Sequence, residues 1–252
     1  MKEIVKAVAY KLGFEIGRLP NPEKVRSARP TRTKGMILEF IGTMGVGKSH
    51  LYHLTLGISR GWFFQQHLRG ITQESNRWCS ILDVHEKLLT ARIERIRASS
   101  ADIWQQATYM HDISQVIKES LLLSTLEFPR GFALAEGLFK HCARELLELD
   151  IEETAPLWQE RAFIYVRAKD PITAMQRYKQ RVDWLRSLGI YQHPEADEQI
   201  LKRIEADNEI NDRLIDVAVE LKRPVLVVFA EDDIEESVKR IADFERHLLS
   251  VR

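Results

Sequence analysis

Cysteine is almost missing from this chain: its 252 residues include two, Cys79 and Cys142. Their separation matches neither a metal-ligand spacing nor a disulfide framework, so a reducing, cytoplasmic setting is expected. An excess of either charge is missing too. Lysine plus arginine and aspartate plus glutamate number 37 each, so no global field draws the protein to nucleic acid or a membrane, and only a local patch could do so. No apolar run approaches the length of a transmembrane helix, and the opening MKEIVKAVAYKLGF carries charges where a secretory leader needs an unbroken apolar stretch. What remains is a chain long enough to bury a full core without metal or disulfide support.

The chemistry that is present is concentrated in Gly42-Thr43-Met44-Gly45-Val46-Gly47-Lys48-Ser49, which spells G-x-x-x-x-G-K-S directly after an apolar run. Residues Met36 to Ile41 (MILEFI) have the length and branched apolar content of a buried strand, and the residues from Ser49 onward can continue as a helix. Strand, glycine loop and helix arrive in the order that a phosphate-binding loop requires. Glycines let successive backbone N–H groups point at one anion, and the following helix adds its positive dipole end. Lys48 is expected to reach the β- and γ-phosphates of ATP and Ser49 to place its hydroxyl on Mg²⁺, with residues 42–49 and the adjoining His50 forming the nucleotide contact.

Three sections follow one another along the chain. Residues 1 to 16 carry a short amphipathic pattern of Ile4, Val5, Val8, Leu12 and Ile16. Between Arg18 and Lys34 three prolines break regular structure while six basic residues face one acid, Glu23. Residues 1–34 are therefore expected to be an extension with a basic linker, able to make a weak contact with an acidic or membrane surface. Residues 35–252 are expected to form one unit. There, buried strands at Met36–Ile41, Gly131–Glu136, Ala162–Val166 and Pro224–Ala230, with a fifth at Gly61–Gln66, alternate with helical segments. This predicts an α/β fold, an open parallel sheet of about five strands with helices on both faces. Leu82 to Leu126 reads as helical throughout, and helix starts are marked by Asp170-Pro171 and by Asp233 with Glu236.

The runs ILEFIGTMGVGKS, GFALAEGLFKHCARE, AFIYVRAKDPITAMQRYKQR and PVLVVFAEDD together resemble the P-loop, acidic strand, lid and base-binding loop of nucleoside and nucleotide kinases, with thymidylate-kinase-like proteins as the comparison. The resemblance covers Gly35 to Leu249. It implies that Glu136 sits beside Mg²⁺ or the water it holds, and that Arg177, Lys179, Arg181 and Arg186 close over the transferring phosphate. It also implies that Ala230 to Asp232 line the adenine pocket. Two departures stand out. Glu136-Gly137-Leu138-Phe139-Lys140 lacks the arginine that usually follows the acid, and His50 replaces a common threonine.

Physical reasoning gives the donor half of a phosphoryl transfer more support than the acceptor half. A loose transition state needs cations and dipoles rather than a covalent nucleophile. Arg177 and Arg181 are four residues apart and share a helix face, suited to one phosphate or, equally, to a solvated basic surface paired with acids such as Asp183. Glu136, at the carboxyl end of a strand, suits a metal shell or a helix cap. Glu74, Asp83 and Glu86 are inseparable candidates for a general base. Trp62, Phe63 and Phe64 could floor an acceptor pocket, whereas His50 and His53 have no third ligand and read as surface or packing residues. The expected function is an ATP- and Mg²⁺-dependent phosphotransferase acting on a small-molecule hydroxyl or phosphate, by family default a nucleoside or nucleotide, otherwise a sugar or glycan precursor. The alternatives are a regulatory or partner-binding NTPase and a nucleic-acid-associated ATPase using Arg18 to Lys34.

Overall fold

In a computed structural model of the chain, five strands of unbroken or nearly unbroken apolar character pair in parallel, in the order β2-β3-β1-β4-β5. The structure describes residues 36–56, 62–64, 81–99, 101–125, 131–159, 161–188 and 195–250. The N-terminal extension, Glu74, Cys79 and the ends of the expected strand at 61–66 lie outside the described residues.

Strand β1 (Ile37–Ile41) is followed by helix α1 (Lys48–Leu56), β2 (Trp62–Phe64), α2 (Ile81–Ala98) and α3 (Ile103–Thr125). Next come β3 (Gly131–Leu134), α4 (Leu138–His141), α5 (Ala143–Glu148) and α6 (Ile151–Trp158). The remainder is β4 (Arg161–Arg167), α7 (Pro171–Ser187), α8 (Asp197–Glu220), β5 (Val225–Phe229) and α9 (Ile234–Ser250). Central β1 has all five residues buried, as a strand covered on both faces must.

Side chains alternate across the sheet into two cores. Leu38, Phe40, Ile164 and Val166 face Leu51 of α1, Ala174 of α7 and Ile241 of α9. Ile41, Phe163 and Tyr165 face Leu88 of α2, Ile117 of α3 and Trp158 of α6. Helix α8 belongs to both, giving Ile200 and Ile204 to the first and Leu214, Ile215 and Ala218 to the second. It wraps the carboxyl end of the sheet, where Asp212 accepts hydrogen bonds from Tyr165 Oη at 2.7 Å and Arg167 Nη2 at 2.8 Å.

Several expectations change in detail. The strand expected over 131–136 ends at Leu134, so Glu136 stands on the turn beyond it. The helical interval is two helices, because the Asp102 carboxylate accepts the N–H groups of Trp104 and Gln105 at 2.9 Å and starts α3 afresh. Trp62 is 3% exposed and packs in the first core. The Asp170 cap is present, its carboxylate accepting Ile172 N–H at 3.0 Å and Thr173 N–H at 3.2 Å. Asp233 likewise accepts Glu236 N–H at 3.0 Å.

Candidate functional site

The loop between β1 and α1 turns through three glycines of positive φ, Gly42, Gly45 and Gly47. At Gly45 the demand is double: φ is +78°, and a Cβ would lie 2.0 Å from the carbonyl oxygen of Ala174 in α7. The loop is thus pressed against the first turns of α7. It delivers Lys48, 6% exposed, to the carboxyl ends of β1 and β3, where Lys48 Nζ donates to Glu136 Oε1 at 2.9 Å. Ser49 follows in the first turn of α1.

Around this contact, charges from several elements shift one another. Burial raises the Glu136 carboxyl, but the Lys48 charge and hydrogen bond, with His141 and Lys140 behind them, hold it at about 2. Glu136 is therefore a carboxylate throughout the physiological range. His141 Nε2 lies 3.8 Å from Glu136 Oε2, and burial pushes its imidazole below the ordinary value despite that acid. Lys140 is lowered by burial and by the cations Lys48 and Arg92, with Asp207, 4.0 Å away, pulling in the opposite direction.

A cavity of about 340 Å³ opens beside the loop, lined by Gly47, His50, Arg177, Phe229, Ala230 and Asp232 among others. Its volume is within the range that takes a small ligand. The segment after β5 is tied to the elements around it. Arg177 Nη1 donates to the Ala230 carbonyl at 3.0 Å, and Asp232 pairs with Lys169 at 3.0 Å and Arg240 at 3.4 Å. The hydrogen bond from Lys169 leads the effects that keep the Asp232 carboxyl below the usual range.

The structure sorts the residues singled out in the sequence. Loop residues 42–48, Glu136, Arg177 and His50 converge on the carboxyl end of the sheet. Lys179 and Arg186 pair with Asp197 at 2.7 Å and Asp183 at 3.1 Å, as a solvated face would. Arg181 is exposed on the same helix. Asp83 and Glu86 are exposed in the first turns of α2, while His85 between them bonds Ser120, which bonds Arg161 at the amino end of β4. Arg92, about two turns further along α2, is close enough for its charge to act on Lys140 and His141. Among the described residues no group of three or more His, Cys, Asp or Glu is placed to hold a metal, and Cys142 is a buried free thiol whose pKa burial raises.

Sequence reasoning missed one part of the site, the fully buried pair Glu39 and Arg161. Arg161 Nη1 donates to Glu39 Oε2 at 2.9 Å, and Lys140 N–H donates to Glu39 Oε1 at 3.0 Å. Burial raises the Glu39 carboxyl, while Arg161 and the N–H groups of Lys140, Phe139 and Gly137 oppose that rise. The signal was there: an acid inside an apolar strand demands a buried partner.

No protein-family model matches the chain, and no curated protein matches it. Among solved structures, deoxyadenosine kinase from M. mycoides with dCMP and a flexible dCDP bound is similar over 84% of this chain and 100% of that one, at 14% identity and TM-score 0.45. The same kinase with dATP bound is similar over 82% of this chain and 97% of that one, at 16% identity and TM-score 0.41. With dCTP bound the values are 84% and 100%, 14% and 0.44. A reading of this chain's function rests on its own site.

Proposed function

We propose that the chain is a P-loop phosphotransferase that moves the γ-phosphoryl group of ATP, taken as its Mg²⁺ complex, to a hydroxyl or phosphate of a small molecule. The observation that carries this is the 2.9 Å contact between Lys48 and Glu136 beneath the glycine loop, beside a ligand-sized cavity. The loop N–H groups and the α1 dipole cradle the phosphates, and Lys48 exchanges its bond to Glu136 for one to a phosphate oxygen. Arg177, bonded to the wall of the cavity, is placed to follow the nucleotide when α7 closes, with Arg181 one turn on.

Ser49 Oγ and the Glu136 carboxylate are hard oxygen donors of the kind Mg²⁺ accepts, and the ion's remaining ligands would be phosphates and water. When bound, Mg²⁺ supplies neutralisation of charge on the phosphate oxygens. Residues 35–252 act as the kinase-like unit, and residues 1–34 as an extension that touches an acidic surface. The acceptor is a nucleoside or nucleotide by resemblance, with a sugar or glycan precursor as the other class. Measuring ATP consumption with and without a panel of all three, with Lys48→Ala as the control, tests the reading. Stimulation by one acceptor supports it; consumption indifferent to every acceptor replaces it with a regulatory NTPase.

A further inference from the structure

We infer that Glu39 is a positioning residue that fixes the turn carrying Glu136, Lys140 and His141 relative to the phosphate loop, an assignment that rests on the phosphotransferase reading above. Glu39 is on β1, the strand that runs straight into the glycine loop, and is 0% exposed. Its carboxylate reaches across to the next strand's turn and accepts Lys140 N–H at 3.0 Å. One strand therefore sets both halves of the Lys48–Glu136 contact.

The turn is shaped for that carboxylate. Gly137 has φ −108°, an angle open to any residue, so its lack of a side chain has another cause. A Cβ there would stand 2.6 Å from the Glu39 carboxyl carbon. Glycine is present to let the acid approach.

Arg161 holds the acid in place. It is 1% exposed and spends each side of its guanidinium on a fixed partner: Nη1 on Glu39, Nη2 on Ser120 Oγ at 3.1 Å and Nε on the Leu157 carbonyl at 2.9 Å. Its guanidinium carbon also lies 4.8 Å from the centre of the Phe139 ring, a residue of the same turn. Ser120 in turn meets His85 Nε2 at 2.9 Å. A continuous buried chain thus runs from α2 through α3, β4 and β1 to α4.

Removing one partner of a buried pair strands a charge, whereas replacing both with residues of similar volume is tolerated. Two double variants therefore separate positioning from stability: Glu39→Gln with Arg161→Met, and Glu39→Met with Arg161→Met. Both discard the ion pair, but only glutamine keeps an oxygen for Lys140 N–H.

Urea unfolding, amide hydrogen exchange over residues 136–141, and the Mg²⁺ dependence of turnover are measured on both and on the unmodified protein. The methionine pair is expected to show faster exchange in that segment and a Mg²⁺ half-saturation raised about 10–100-fold at comparable stability, with the glutamine pair close to the unmodified protein. Equal behaviour of the two folded variants overturns the assignment. If the methionine pair does not fold, Gly137→Ala displaces the same contact from the other side and is expected to raise the Mg²⁺ requirement alone; an unchanged titration there overturns it equally. Should the unmodified protein show no acceptor-stimulated turnover, the phosphotransferase reading fails, and the exchange experiment still decides whether Glu39 holds the turn.

Discussion

Lys48 is the residue on which the proposed chemistry concentrates, because a nearly buried ammonium with one carboxylate partner can change partners without moving its backbone. Lys48→Ala is expected to lower acceptor phosphorylation by ~10²–10³-fold while the protein stays folded, the loss typical of removing a cation or donor aimed at developing charge. Near-normal turnover in that variant would remove the phosphate-loop assignment. Its partner Glu136 makes a prediction about pH. The carboxyl is held at about 2, below the ordinary 4.5. An acid depressed on folding contributes stability that is fully present above the ordinary value and is lost as the pH falls toward the folded one. Melting temperature should therefore fall more steeply between pH 4.5 and pH 2 in the unmodified protein than in Glu136→Gln. Parallel curves would mean that the Lys48 contact carries no such linkage.

On the proposed reading, helix α7 is the element that separates a kinase from a slow hydrolase. Arg177 already lines the cavity and Arg181 lies one turn along, so replacing both with alanine is expected to depress acceptor phosphorylation by ~10³-fold and basal hydrolysis far less. Lys179→Ala, which removes an exposed pair with Asp197, is the internal control, expected to change stability by ~0–1 kcal/mol and turnover little. Equal small losses in both experiments would make α7 an ordinary solvated face. The elements themselves were readable in the sequence to very different degrees. Buried parallel strands are continuous apolar runs, so four of the five were placed within about two residues and β2 falls inside the expected 61–66, while the Asp170-Pro171 start of α7 announced itself by local chemistry. The break at Asp102 was not seen, because apolar spacing continues across it and only the cap marks the new helix. The partner of Glu39 was hidden for a different reason: Arg161 is 122 residues away, and no local pattern encodes a contact of that span.

At the scale of the whole molecule, the extension and the described unit are expected to make separable contributions. Residues 1–34 concentrate basic charge in a proline-broken stretch that cannot bury a core of its own. Deleting them is expected to leave ATP turnover within a few-fold while weakening salt-sensitive association with anionic vesicles, measured by co-sedimentation. Loss of soluble protein would show instead that the extension packs on the sheet. The order of strands has a consequence for how the chain is made. Strand β1 is the first of the five to leave the ribosome, yet its neighbours are β3 and β4, with Ile37 aligned on Phe132 and Arg161. The segment that feeds the phosphate loop must wait unpaired from Ile41 until Gly131 opens β3, and for its second neighbour until Arg161 opens β4, an exposed apolar strand with Glu39 in its middle. Such a strand is an aggregation hazard until its partners arrive. An acid at that position keeps the waiting segment charged, and only when Arg161 emerges can that charge be buried.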